Sequence, residues 1–173
     1  MTQDALPMAH RHAGDRHNDH KGHEARNYWL FGLNIGLSAI AMYLVMFTMI
    51  DTWGDFRNNL NTVYMTAMMV APMGVLMLLT KPGMYQTRAV NVALHVLFVA
   101  LFIAAFLGMR WQALIDDRQF IASMIPHHSG AILMCREAPI TDAELQALCD
   151  NIEQGQRGEI EQMNAILERL NQD

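Results

Sequence analysis

Charged residues are missing from long parts of this 173-residue chain. Asp, Glu, Lys and Arg do not occur in three stretches, which cover residues 28–50, 63–80 and 90–109. Each stretch approaches the roughly 20 apolar residues that a helix needs to cross a bilayer. Three uncharged helices of this length would leave a soluble globule too little amphipathic surface. We therefore predict three membrane-spanning helices at residues 28–111, with the lipid bilayer as their partner.

A strongly basic patch is also missing. The formal net charge is −5, so no nucleic-acid partner is expected. Basic residues near the span ends are more numerous on one side of the predicted spans than on the other, which has Arg57, Arg110 and Arg118. The more basic side has Arg11, Arg16, Lys21, Arg26, Lys81 and Arg88. Since basic residues near span ends favour the cytoplasmic side, we predict a multi-pass protein of the inner (cytoplasmic) membrane. Its N-terminus is then cytoplasmic and its C-terminal region periplasmic or otherwise extracytoplasmic.

Apolar residues are scarce in residues 1–27, which contain five of the eight histidines. Such a composition predicts a disordered tail. Imidazole is a good ligand for Cu, Zn or Ni, so the tail could capture metal loosely, or it could simply be polar. Both interpretations fit the residues.

Residues 112–173 predict two helices, the first beginning at Asp116 or Asp117 and ending near Glu137. A capping box of Thr141 and Glu144 predicts the start of the second helix. This second helix carries an apolar stripe from Leu145 to Leu170. Two helices bury too little core to fold alone. We therefore expect the hairpin to form a four-helix bundle by homodimerisation, or to rest on the membrane region.

Catalytic patterns are absent from the sequence. The C-terminal hairpin has no Glu-x-x-His, the ligand motif of di-iron carboxylate enzymes. No nucleophile with a paired base can be identified either. We therefore do not expect an enzyme.

Soft ligands occur together in the first C-terminal helix. Met124 is followed by His127 at i+3 and His128 at i+4, and Met134 lies seven residues after His127. Pro126 predicts a bend where the histidines begin. A turn near Pro139 would set Met124 level with Gln156 and the histidines level with residues 152–153, so that Gln156 and Glu159 fall near the Met-His face. Thioether and imidazole suit Cu(I) better than Mg or Ca; the alternative is a core helix whose Met and His only pack.

Cysteine is rare, and both residues, Cys135 and Cys149, lie in the C-terminal hairpin. They could form a disulfide, bind metal as thiolates, or simply be small buried residues. A turn about Pro139 sets Cys135 level with Glu144 and leaves Cys149 more than a helical turn away. We therefore expect an interchain disulfide or soft-metal ligation rather than an intrachain bond.

The predicted spans contain repeated methionines, listed along the first and second spans as Met42, Met46, Met49, Met65, Met69, Met73 and Met77. A ladder of thioethers could pass Cu(I) along, although packing is the commoner explanation. His95 and Asn91 of the third span are spaced i and i+4. They are candidates for function, or for an interhelical hydrogen bond near Asn34.

Two runs of the C-terminal hairpin resemble a known family. They are DRQFIASMIPHHSGAILMCREA, residues 117–138, and LCDNIEQGQRGEIEQM, residues 148–163. Both are similar to the domain-of-unknown-function 305 family, which includes CopM-like copper-binding proteins. The resemblance implies a ferritin-like helical fold and a role in periplasmic copper binding and resistance. The matching positions are Asp117, Met124, His127, His128, Met134, Gln156, Glu159 and Met163.

The chain has one short copy of the family unit and a membrane anchor, whereas longer relatives repeat the unit. A complete site could therefore need two chains. Together these observations predict an all-α, membrane-anchored protein that buffers or hands over Cu(I) or Ag(I), or confers resistance to it, with a possible copper-handling partner protein. The alternative is a structural or regulatory membrane subunit without a metal role.

Overall fold

The computed structural model of the chain describes the backbone of residues 11–172 and the side chains of residues 25–172. Within this range the chain is all-α, as predicted, with five α-helices and a single-turn 3₁₀ helix at Trp53–Asp55. The α-helices are α1 (Arg11–Val45), α2 (Leu60–Thr80), α3 (Arg88–Arg110), α4 (Asp117–Glu137) and α5 (Ala143–Leu170). The metal contact predicted for the histidines of residues 1–24 lies outside the described side chains.

Three helices are long and apolar enough to cross a membrane: Ala25–Val45 within α1, and all of α2 and α3. The three predicted spans are thus helices of sufficient length and apolar composition, with two differences at α1. The helix begins at Arg11, so it includes most of the segment predicted as a disordered tail. It ends at Val45 rather than near residue 50, because the chain turns to bury Phe47 against the ring of Phe56, with centroids 4.4 Å apart.

The three spans pack around an aromatic cluster. Phe31 of α1 contacts the rings of Tyr85 and Phe98 edge-on, with centroids 5.4 and 5.9 Å away. Helices α2 and α3 approach closely because Gly74 has no side chain. A Cβ atom at Gly74 would lie 2.6 Å from the Phe98 ring. Small residues at such crossings let membrane helices gain van der Waals contact without a hydrophobic driving force.

A polar network joins the same spans at one end. The Tyr28 hydroxyl donates to Asn91 Oδ1 over 2.8 Å, and the Asn91 amide donates to the Tyr85 carbonyl over 2.7 Å. His95 Nδ1 lies 2.6 Å from the Asn91 carbonyl. The hydrogen-bond interpretation of Asn91 is thus confirmed, but among the described residues its interhelical partner is Tyr28 rather than Asn34.

Helices α4 and α5 form the predicted hairpin. Their core is a small isoleucine cluster on which the end of α5 packs, consisting of Ile121, Ile125, Ile132 and Ile160. Asp116 caps α4 by accepting from the Gln119 N–H, as the predicted start requires. The cap of α5 is Asp142, which accepts from Leu145 N–H, and not the predicted Thr141. Aspartate is the stronger N-cap, and so the helix begins one residue later.

The hairpin rests on the membrane region, which was one of the two predicted ways to bury its surface. Helix α4 contacts both α2 and the 3₁₀ helix. The short link from α3 bends sharply at Gln112 and Leu114, whose φ angles are 49° and 61°. Tyr64 of α2 holds this link by donating to the Ala113 carbonyl over 2.7 Å. The bend directs α4 back over the ends of the spans.

Candidate metal site

Helix α4 presents two different faces. Ile121, Ile125 and Ile132 lie against α5 and are buried. Met124 and His127 lie on another face, together with Met134, and line a cavity between α4 and the membrane region. The spacing of three and seven residues places these side chains along one stripe of the helix. Three of the predicted soft ligands, Met124, His127 and Met134, therefore face the spans and not the partner helix of the hairpin.

His128 belongs to the hairpin rather than to the cavity. Its Nε2 lies 2.7 Å from Glu159 Oε2 on α5, and its Nδ1 lies 2.9 Å from the Met124 carbonyl. Both ring nitrogens are thus engaged, and the residue is buried. His127 is different, because within the described part of the chain its ring nitrogens have no hydrogen bond, and its ring is exposed. The available imidazole is that of His127.

The predicted register of the hairpin is wrong by more than a helical turn. The turn near Pro139 was expected to set the histidines level with residues 152–153, whereas His128 contacts Glu159. The cause is the connection between the helices, residues 138–142, which is not helical. Extended residues advance about 3.3 Å each, against 1.5 Å in a helix, so α5 starts beyond the end of α4. Each residue of α4 therefore faces a residue that lies further along α5 than predicted.

The remaining predicted ligands are spread over the hairpin. Asp117 lies exposed in the first turn of α4. Met163 packs against the isoleucine cluster, and Gln156 is half-buried on α5. Neither Gln156 nor Met163 lines the cavity. The structure thus brings together Met124, His127 and Met134 and leaves the other ligand positions outside this group.

Cys135 and Cys149 form a disulfide, with Cα atoms 5.3 Å apart. The expectation that an intrachain bond is out of reach is therefore wrong. The same shift of register is the reason, since six residues of α5 precede Cys149 but only two residues of α4 follow Cys135. Neither residue presents a thiolate in this state, and metal ligation by cysteine would require reduction first.

The space between α4 and the spans, which we name the junction cavity, has a volume of about 400 Å³. Six of its fifteen lining residues are methionine, against fifteen of 173 in the whole chain. None of the lining residues is Asp, Glu, Lys or Arg. The thioethers lining it are those of Met46, Met49, Met65, Met109, Met124 and Met134.

Polar contacts hold α4 over this cavity. Ser129 is fully buried, accepts from the Asp51 N–H over 2.6 Å and donates to Asp55 Oδ2 over 2.6 Å. The Asp51 carboxylate is buried between two arginines of the hairpin, Arg136 and Arg157. These contacts join the loop after α1 to both α4 and α5. They fix the position of the hairpin relative to the spans.

The two arginines remain charged in this arrangement. The side-chain hydrogen bond to Glu137 is the main cause that raises the pKa of Arg136. The hydrogen bond to Glu153 does the same for the pKa of Arg157, and Asp51 raises both. A raised pKa favours the charged form, so both arginines are positively charged beside Asp51.

Among the residues that the structure describes, no three His, Cys, Asp or Glu side chains gather in a group that could hold a metal ion. The donors that do gather are thioethers, with the single imidazole of His127. Such a set does not suit Mg or Ca, which take oxygen ligands. It suits Cu(I) and similar soft ions.

Sequence reasoning missed Met109, Ser129 and the Asp51 cluster. Met109 could have been found from the order of the spans. In a chain with three spans, the end of the first, the start of the second and the end of the third lie on the same side of the membrane. Met46, Met65 and Met109 occupy those three ends. No comparable signal marks Asp51, whose two partners lie 85 and 106 residues further along the chain.

Known proteins resemble this chain in the hairpin and also in residues outside it. The model of a domain of unknown function, DUF305, matches residues 114–173. An uncharacterized protein of Acanthamoeba polyphaga mimivirus, L153, is 35% identical over 135 residues, which are 76% of this chain and 86% of the viral protein. No solved structure matches.

A match of 135 residues is much longer than the hairpin and must include part of the membrane region. The viral relative therefore resembles this chain in both parts. Because this relative is viral, it lends no support to a bacterial source. The matched domain and the long match together establish that the chain belongs to the DUF305 family.

Proposed function

We propose that this protein binds Cu(I) or Ag(I) at a membrane and buffers the ion, hands it over, or contributes to resistance. The observation that carries the proposal is the stripe of Met124, His127 and Met134 along α4, facing a cavity rich in thioethers. Thioether and imidazole are soft and borderline donors, and a monovalent d¹⁰ ion is the kind of ion they prefer. Without charged side chains, the cavity wall neither repels a cation nor favours a hard one.

The place of this activity follows from the basic residues near the spans. The basic residues before α1 and between α2 and α3 favour the cytoplasmic side, and the hairpin then lies on the extracytoplasmic side. We propose that the ion is bound there, in the periplasm if the membrane is that of a bacterium. A copper-handling partner would then exchange the ion with the hairpin, whose His127 is open to solvent.

The proposal is tested by titrating the full-length protein, in detergent micelles, with Cu(I) against a competing chelator. The test variant is Met124→Leu/His127→Gln/Met134→Leu, in which each replacement keeps the approximate volume of the side chain. Losing a hydrogen-bond partner of a ligand costs metal affinity about 10- to 100-fold, and losing the ligands themselves should cost at least as much. We therefore expect a loss of at least about 100-fold.

A matched control replaces three methionines of α2 that do not line the cavity: Met69→Leu/Met73→Leu/Met77→Leu. This control should bind Cu(I) like the wild type. Equally weak binding by wild type, test variant and control would contradict the proposal. It would favour the alternative, a structural or regulatory membrane subunit whose methionines only pack.

A further inference from the structure

Four of the six methionines of the junction cavity do not belong to the DUF305 domain. Met46 and Met49 lie in the turn that follows α1, Met65 lies in α2, and Met109 lies at the end of α3. These segments come from all three spans. They meet because the corresponding ends of alternating spans share one side of the membrane. Four of the eight residues that line the wall opposite α4 are therefore methionines.

We propose that the membrane spans complete the metal site, so that Cu(I) or Ag(I) is bound in the junction cavity between methionines of the spans and the soft side chains that α4 presents there. This inference rests on the proposed function and specifies where its ligands come from. The four methionines of the spans and the three soft side chains of α4 line the same cavity. The site then requires the hairpin to be docked, and a single chain suffices for it.

The flexibility of methionine makes this convergence possible. A methionine side chain has three rotatable bonds and a polarizable sulfur, so it can turn toward an ion without movement of the backbone. A cavity of about 400 Å³ leaves room for such rotation. Thioethers of both walls can therefore turn toward an ion in the cavity.

The docking contacts keep the two walls at a fixed separation. The Met49 carbonyl lies so close to α4 that a Cβ atom added at Gly130 would be 3.2 Å from it. On the other side, Gln119 Oε1 accepts from the Leu60 N–H over 2.9 Å, which ties α4 to the start of α2. Because the backbone of both walls is already in place, ion binding carries little entropic cost for assembling the walls.

The first test compares Ag(I) affinity of full-length proteins in chloride-free detergent solution, with the disulfide left oxidised. The membrane-half variant is Met46→Leu/Met49→Leu/Met65→Leu/Met109→Leu, and the control is again Met69→Leu/Met73→Leu/Met77→Leu. We expect the membrane-half variant to lose at least about tenfold in affinity and the control to remain within about twofold of the wild type.

The possible results separate this inference from the proposed function. If the membrane-half variant binds like the wild type while the α4 variant does not, the site lies on the hairpin alone; the proposed function then stands and this inference falls. If the wild type does not bind Ag(I) or Cu(I), the proposed function falls and this inference with it.

A second test uses the wild-type chain and does not depend on the folding of a variant. Hydrogen peroxide oxidises accessible methionines to sulfoxides, and a sulfur bound to Ag(I) is protected. Met49 and Met134 are 51% and 54% exposed and lie on opposite walls of the cavity, whereas Met84, 42% exposed, lies in the loop between α2 and α3.

With one equivalent of Ag(I), oxidation of both Met49 and Met134 should slow at least about tenfold, while oxidation of Met84 stays unchanged. Protection of Met134 alone would overturn the inference, because it would place the ion on the hairpin without the spans. Equal slowing at all three methionines would also overturn it, since it would indicate loss of oxidant and not a site.

Discussion

Replacing Arg136 and Arg157 together with alanine should release the hairpin from the spans more completely than any other change on its surface. The two arginines are the partners of the Asp51 carboxylate, whose side chain is only 2% exposed. Without them a charge remains buried and unpaired, which is the costly way to break an ion pair. We expect amide hydrogen exchange in α4 to become at least about tenfold faster.

The same reasoning predicts that removing the aspartate is milder. In Asp51→Asn the arginines lose their partner, but both are about half exposed and can be solvated by water. Adding Asp51→Asn to the double arginine variant should therefore restore part of the protection of α4. Additive effects of the three substitutions would contradict this, because they would mean that the buried charge is not what destabilises the docked hairpin.

Undocking should also weaken the metal site, since the account requires both walls of the cavity. The double arginine variant keeps every thioether and His127, yet we expect it to bind Ag(I) more weakly than the wild type. The Asp51→Asn variant should lie between the two. Unchanged Ag(I) affinity in a variant with a demonstrably released hairpin would show that α4 binds the ion without the spans.

Removing the disulfide by Cys135→Ser/Cys149→Ser should destabilise the hairpin by about 3 kcal/mol, the amount expected for closing a loop of about 15 residues. The two cysteines are 14 residues apart and join the ends of α4 and α5 across the connection. The small core of the hairpin gives it little other stability. Hydrogen exchange of α5 amides, compared with oxidised wild type, measures the loss.

Metal binding should respond differently to this change. Because the cysteines of the oxidised chain are not ligands in our account, the serine variant should keep the Ag(I) affinity of the oxidised wild type within a few-fold. If the serine variant kept the stability of the wild type but did not bind Ag(I), the sulfur of cysteine would be the metal ligand instead. A variant of unchanged stability would show that the disulfide does not brace the hairpin.

Much of the architecture was readable from the sequence. The uncharged stretches predicted the three spans, and the start and end of α4 were predicted from its acidic first turn and the break that follows Glu137. These features are local, because they depend on hydrophobicity and capping within one segment. The end of α1 was predicted too late, since burial of Phe47 is a tertiary effect.

The site was readable only in part, because its assembly depends on distances between segments. Met124, His127 and Met134 were predicted to share a face, which follows from helical periodicity. Glu159 was predicted near this face, and it does contact His128. Met124, His127 and Met134, however, face the cavity and not α5. The register of the hairpin was predicted incorrectly, since it depends on how far the connection extends. The same error separated Cys135 from Cys149, which the structure joins.

The central claim is that methionine sulfur from this chain binds the ion. The most direct measurement is the copper-edge X-ray absorption spectrum of the full-length protein, loaded with one equivalent of Cu(I) in the presence of ascorbate, which leaves the disulfide intact. Among the described residues the structure has no free cysteine, so sulfur bound to copper must come from methionine. We predict a first coordination shell dominated by sulfur with one nitrogen, and a shell of nitrogen and oxygen alone would contradict the account.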